Sequence, residues 1–362
     1  MTPGDLELQH RCTRFLSHVR PQKPGAWLRN LARSPWAETP LDAYGAGEAV
    51  AALEQRVASL LGKEAAVFLP KGVIAQHAAL RAWAERSGRR GVALHPKSHI
   101  ALDEGSGHER LHGLQSLPLG QDQSPFTLDD LTTLKERPGS VVVELPLRRA
   151  GFKLPSWETL SGIAAWCRGE EVRLHFDGAR LWGCTPYYQR ELAEIAGLAD
   201  SVYVSLYKEL GGLAGCLLAG PADFLAETAA WSGRQGGRLY RAFPYVIAGL
   251  EGLETQLPRL PDYVARAHRL AAALSAEAAF EVDPDPPQTA AFQLYLPGGA
   301  EALMSAVRRL AEEEQIWLAN GVLPSDLPGR SKLDIQIRDA AEDLSDEEVV
   351  AAFHKIVAWA AD

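Results

Sequence analysis

Cysteine is scarce: the 362-residue chain has four, and Cys12, Cys167, Cys184 and Cys216 are scattered without the spacing of a metal site or a disulfide framework. Positive charge is not in excess either. Thirty-seven Lys and Arg stand against 46 Asp and Glu, a formal net charge of −9, which argues for solubility and against a nucleic-acid partner. No apolar run reaches the length a membrane helix needs. The opening residues MTPGDLE carry neither a basic stretch nor an apolar core, so no secretory signal is expected and the expected compartment is the cytoplasm. There is no internal repeat or low-complexity tract. No G-x-G-x-x-G opens a helix after the first strand-like run, which sets a dinucleotide-binding domain aside.

What is present is ordinary in bulk, with 46% hydrophobic and 23% charged residues. The length exceeds that at which one core usually keeps growing, so a large domain with a smaller companion is expected. Residues 48–61 (EAVAALEQRVASLL) carry apolar positions at helical spacing and stop at Gly62, a C-terminal cap. Ala65–Leu69 reads as a buried strand and 73–84 as the helix after it. Residues 91–94, 141–145, 172–176 and 200–205 are further short runs rich in apolar and β-branched residues, with helical stretches at 157–167 and 191–196 between them. Strands alternating with helices predict a mainly parallel sheet covered on both faces, an α/β architecture. From about residue 245 the texture changes. A long helical region, 245–279, precedes the Pro-rich DPDPP stretch; strand-like 292–296, a helix at 301–314, and strand-like 316–318 and 333–337 follow. The closing helix opens on Ser345-Asp346-Glu347-Glu348, a capping box. The expected division is a large domain over 1–250, with an N-terminal arm at 1–43, and a small α+β domain over 251–362.

Two stretches carry chemistry. In VRLHFDGAR an apolar run ends at Asp177 and Gly178, which puts a carboxylate at the carboxyl end of a strand, where open α/β sheets bind ligands. In SVYVSLYK, followed by ELGG, another such run ends at Ser205 and Lys208. A lysine beside a glycine-rich turn forms imines with aldehyde cofactors, and an acid can keep a pyridine nitrogen protonated, making the ring an electron sink. Each feature alone is weak; the two in this order are far more specific.

HFDGARL, EIAGLADSVYVSLYKELGGLAGCLLAG, YGAGEAVAALEQRVASLLGKEAAVFLPKGVIAQ and HPKSHIALDEGSG together resemble the threonine aldolase and β-eliminating lyase family, from about Tyr44 to Leu253. The resemblance implies the fold type I architecture of enzymes that use pyridoxal 5'-phosphate (PLP). It implies that Lys208 is the Schiff-base lysine, that Asp177 partners the pyridine nitrogen, and that His99 lies over the ring as a catalytic side chain. Arg180 is implied near the cofactor and the substrate carboxylate, a pair that suits a planar guanidinium. The turn Lys71-Gly72-Val73 before a helix is implied to cradle the phosphate with the amides of Gly72 and Val73, and Ser205 to add a hydroxyl. GGRLYR resembles the family's Gly-Gly-Gly-Met-Arg stretch and leaves Arg238 or Arg241 as a phosphate arginine, with Arg241 preferred. A second carboxylate-binding residue falls to Lys332 or Arg338, with Arg338 preferred. No metal is expected.

The chain departs from the family in two places. Its Lys-Gly-Val replaces Ser-Gly-Thr, removing two hydroxyls. Glu144-Leu145-Pro146-Leu147 replaces Glu-Asn-Thr-His, so the histidine that helps deprotonate the substrate hydroxyl is Leu147. The implied reaction is cleavage of a β-hydroxy-α-amino acid to glycine and an aldehyde by a homodimer or homotetramer. The alternatives are β-elimination or another Cα-proton abstraction with Lys208 as base, and a PLP-binding carrier or regulator. Leu145, Pro146 and Leu147 are expected to form an apolar pocket wall, His108 and His112 a solvated loop, and Trp157, Trp166, Trp182 and Trp231 packing.

Overall fold

The computed structural model describes residues 2–16, 19–121 and 123–361. Its contacts divide the chain into two compact units, Trp27–Pro258 and the pair of segments Met1–Ala26 and Arg259–Asp362. This line differs from the expected one at 250 with residues 1–43 in the large domain. Arg14 and Phe15 pair in parallel with Ile316 and Trp317, and Asp5, almost fully buried, accepts from Nε of Arg308 at 2.6 Å. Long-range pairing of this kind has no local signature in sequence.

Within Trp27–Pro258 the described residues form a seven-stranded sheet. Its order across the sheet is Ala65–Leu69, Cys216–Gly220, Ser201–Ser205, Arg173–Gly178, Ser140–Glu144, Gly91–Leu94 and Gln115–Pro118. Cys216–Gly220 pairs antiparallel with both its neighbours, Ala65–Leu69 and Ser201–Ser205; all the remaining pairings are parallel. The mainly parallel sheet is therefore as expected, with Gln115–Pro118 and Cys216–Gly220 as strands the apolar pattern did not mark. Four of the strands are buried along their whole length, as a sheet covered on both faces requires. The helix Glu48–Leu60 ends as its sequence predicts, with Gly62 at φ +59°, a left-handed conformation that costs glycine nothing.

The helix Gly72–Ser87 sets the site. It crosses one face of the sheet against the strand direction. Gly72 packs on Tyr203, Gln76 meets His175 further down, and Trp83 meets Ser201 at the far end of the strands. Its amino end therefore stands at the carboxyl edge of the sheet, beside Asp177.

The other unit contains a four-stranded antiparallel sheet, in which Ala291–Pro297 lies between Glu281–Asp283 and Arg330–Gln336. The capping box at Ser345 forms: Ser345 Oγ accepts the Glu348 amide at 3.2 Å and Glu348 accepts the Ser345 amide at 2.8 Å. The long helical region expected over 245–279 is helical in three pieces. It is Phe243–Thr255, a 3-10 turn Leu257–Arg259, and Leu260–Ser275, because Pro258 and Pro261 each lack an amide to continue the ladder.

Candidate active site

Parallel pairing places Asp177 opposite Glu144 on one side and Tyr203 on the other, at the carboxyl edge of the sheet. Asp177 is buried and accepts the Ala179 amide at 3.2 Å. Burial pushes its carboxyl upward, although Lys208 and His99 pull the other way. Glu144 accepts the His99 amide at 2.7 Å and the Arg148 amide at 3.1 Å. Burial, with the neighbouring Asp177 charge, lifts its carboxyl to about 7. The edge thus carries two adjacent carboxyl groups in a poorly solvated place, and each opposes ionisation of the other.

Lys208 follows the strand Ser201–Ser205 on a tight turn. The Ser205 hydroxyl oxygen accepts the amides of Tyr207 at 3.3 Å and Lys208 at 3.2 Å, and its carbonyl accepts Trp182 Nε1 at 2.8 Å. Burial, helped by the Arg180 charge, brings the Lys208 amine down to about 8. An amine so depressed has a substantial neutral fraction near physiological pH, which nucleophilic attack on an aldehyde needs.

Lys208, Asp177 and His99 converge on one cavity of about 190 Å³. Lys71, Gly72, Val73 and Gln76 from the helix line it too, with Tyr203 and Tyr207. The first amides of a helix have no intrahelical acceptor, and together with the Lys71 charge they suit a phosphate. Gly72 is required there: a Cβ at that position would lie 2.3 Å from the Tyr203 hydroxyl. Gln76 is 1% exposed, and its Nε2 has no hydrogen-bond partner, although its Oε1 lies 2.6 Å from Nε2 of His175. A buried amide left over in a cavity wall is what a site with a missing polar ligand shows.

His99 opens a short helical turn that Ser98 caps, and its Nδ1 lies 2.9 Å from Oε1 of Glu104. That hydrogen bond raises the His99 pKa against the effect of burial.

Other expected residues lie elsewhere. Ser205 is fully buried, does not line the cavity, and gives its oxygen to the turn that carries Lys208. Arg180 lies over the Phe152 ring, 5.3 Å from its centroid, and is not among the lining residues. Arg241 donates to the Asp42 carbonyl and stacks on Tyr240, again away from the cavity lining, while Arg238 is exposed. Lys332 and Arg338 belong to the other unit, where Lys332 Nζ donates to Gln293 at 3.2 Å and Arg338 lies 3.7 Å from the Asp339 carboxylate. Leu145 and Leu147 are buried in the core and do not line the cavity.

His108 and His112 are not in a solvated loop as expected; both are almost fully buried, close to His77. Their polar neighbours in sequence concealed this, because the burial comes from the distant helix Gly72–Ser87. The same distance hid Gln76 and Tyr203, whereas Glu104, five residues after His99 in a polar turn, left a local signal. Among the described residues no group of three or more His, Cys, Asp or Glu could hold a metal ion, and no helix is long and apolar enough to cross a membrane.

The family model described as beta-eliminating lyase matches residues 36–295, which include every residue lining this cavity. The chain belongs to the beta-eliminating lyase family. Among its relatives is the low specificity L-threonine aldolase of Escherichia coli K12. It is 31% identical over 250 residues, covering 67% of this chain and 73% of the relative. The low-specificity L-threonine aldolase 1 of Arabidopsis thaliana is 24% identical over 295 residues, 79% of this chain and 82% of the relative. In structure the lyase is similar to a candidate L-allo-threonine aldolase from Listeria monocytogenes, with TM-score 0.91, 31% identity and 98% of both chains covered. It is also similar to a candidate aromatic amino acid beta-eliminating lyase/threonine aldolase from Exiguobacterium. There the TM-score is 0.90 at 32% identity, with 97% of this chain and 98% of that one covered.

Proposed function

We propose that this lyase uses PLP to cleave β-hydroxy-α-amino acids to glycine and an aldehyde, as a low-specificity L-threonine aldolase does. The observation that carries the reading is the convergence of Lys208, Asp177, His99 and the amino end of helix Gly72–Ser87 on one cavity. The residues fit the cofactor. Lys208 holds its aldehyde, Asp177 its ring nitrogen, and the amides of Gly72 and Val73 with Lys71 its phosphate. Bound PLP supplies a sink for the negative charge left on Cα when the Cα–Cβ bond breaks. Around it, Asp177 keeps a proton on the ring nitrogen and His99 presents an imidazole from the turn above. Arg180 is assigned to the substrate carboxylate and Arg241 to the phosphate. Proton removal from the β-hydroxyl falls to His99 or a water it holds; such general-base help is worth ~100- to 10,000-fold.

We place the enzyme in the cytoplasm as a homodimer or homotetramer. The exposed rings of Tyr44 and Tyr240, 5.2 Å apart, and the exposed Leu28 and Leu41 support an assembly, since isolated soluble subunits rarely leave so much large apolar surface in water.

A second reading, β-elimination with Lys208 as base, draws on the same buried lysine at the cavity, its amine brought down to about 8 by burial. One assay separates the two. Protein supplied with PLP is incubated with L-threonine, L-allo-threonine, phenylserine, serine and alanine, and both aldehyde and keto acid are followed. Glycine and aldehyde from the β-hydroxy substrates support the aldolase reading. Keto acid from serine without glycine from threonine supports elimination, and no absorbance change on adding PLP removes both.

A further inference from the structure

Behind His99 the fold buries a carboxylate between two imidazoles. Glu104 has 1% of its side chain exposed. Its Oε1 lies 2.9 Å from Nδ1 of His99, and its Oε2 lies 2.7 Å from Nε2 of His77, also 1% exposed. The two histidines come from different elements, His99 from the turn after Ser98 and His77 from the helix Gly72–Ser87. Gly107 makes room for His77, because a Cβ there would lie 2.4 Å from its Cε1. His108 and His112 stand further back, their ring centroids 6.4 and 5.4 Å from that of His77. Burial lowers the pKa of both, which keeps them uncharged at neutral pH.

Burial alone would raise the Glu104 carboxyl, yet the His99 hydrogen bond and the His77 imidazole beside it outweigh burial and hold the group down at about 2. A carboxylate kept ionised so far from water needs partners on both oxygens, since removing one leaves a buried charge uncompensated. A ring nitrogen that carries its hydrogen toward a carboxylate leaves the other nitrogen without one, and the carboxylate then favours the protonated ring. The groups acting on His99 are Glu104, Asp177 and Lys208, with Glu144 holding its backbone amide and Asp103 adjacent in the same turn.

We propose that Glu104 is a positioning residue for His99: it fixes the hydrogen on Nδ1, turns an unprotonated Nε2 toward the cavity, and is itself held by His77. Glu104 therefore acts through His99, and His77 through Glu104. The assignment rests on His99 being the imidazole beside the cofactor, but its test does not need the cofactor.

The full chain, labelled with ¹⁵N and without added PLP, is titrated by imidazole NMR, with His99 identified by its loss in His99→Gln. In the wild type the neutral ring is expected to carry its hydrogen on Nδ1. In Glu104→Gln, which keeps the volume and an acceptor, the His99 midpoint moves to lower pH. In His77→Gln, which removes the imidazole and keeps a donor beside Glu104, the midpoint does not fall. With PLP and a β-hydroxy substrate, the acid limb of kcat in Glu104→Gln moves to lower pH in step with the NMR midpoint, while KM stays close to wild type. An unchanged His99 midpoint in folded Glu104→Gln overturns the proposal. Should that variant not fold, the wild type decides alone, because a neutral His99 with its hydrogen on Nε2 overturns it equally. Failure of the PLP reading would show separately, as a chain that takes up no cofactor while His99 still titrates as expected.

Discussion

Glu144 and Asp177 are cross-strand partners in adjacent parallel strands, both buried at the carboxyl edge of the sheet. The Glu144 carboxyl is lifted from 4.5 to about 7, first by burial and then by the Asp177 charge. A carboxyl whose folded pKa exceeds its unfolded one releases its proton later in the native state. Its stabilising effect is present below about 4.5 and is lost as pH rises through about 7. In cofactor-free protein, stability measured by urea unfolding should therefore fall across that window more steeply in the wild type than in Glu144→Gln. The difference should be on the order of 1 kcal/mol or more. The slope is the test and the absolute level is not, since Gln offers its two amide neighbours only one acceptor. Parallel curves would mean that Glu144 does not titrate there.

Lys208→Ala should abolish the visible absorption that develops when PLP is added to the wild type, and with it turnover. Asp177→Asn should still take up PLP, because the phosphate contacts and Lys208 remain. Turnover should fall by about 100-fold or more, as when one preorganised electrostatic contact is removed from a water-poor site. Absorption spectra and single-turnover rates read the two effects separately. Near-normal turnover in Asp177→Asn would leave Asp177 as a cap for the Ala179 amide and nothing more.

Gly72→Ala forces a methyl to 2.3 Å from the Tyr203 hydroxyl and 2.8 Å from its ring carbon. The start of the helix must shift, costing about 1–3 kcal/mol as overpacking does. Affinity for PLP should drop with it, because the amides meant for the phosphate move too. Tyr203→Phe removes the worst contact, so the double variant should recover part of both losses. Fluorescence titration with PLP beside thermal melts gives the comparison, and additive losses would exclude the clash as their cause.

Leu147→His restores the residue type the family keeps at this position, but Leu147 is buried and does not line the cavity. An imidazole there lacks a polar partner and should cost about 1–3 kcal/mol. No rise in kcat on threonine is expected. A stably folded variant with a faster aldol cleavage would show that the loop after Glu144 reaches the substrate.

The sequence revealed what is local. The apolar runs ending at Asp177 and at Ser205 gave two strand ends and the carboxylate and lysine beyond them, and Gly62 marked a helix end. It concealed what depends on pairs of distant elements. Nothing near Gln76 or His77 announces that these adjacent residues meet His175 and Glu104. A polar neighbourhood made His108 and His112 look solvated although a helix thirty residues earlier covers them. Arg14 and Phe15 gave no hint of their strand partners, because two residues are too few for a periodicity.

The Ser205 hydroxyl ties down the amides of Tyr207 and Lys208 while Trp182 grips the carbonyl of the same residue. The lysine side chain thus hangs from a hinge post whose footing does not depend on what its amine is bonded to. Under the proposed PLP chemistry, Lys208 would hold and release the aldehyde from a backbone that these contacts keep in place.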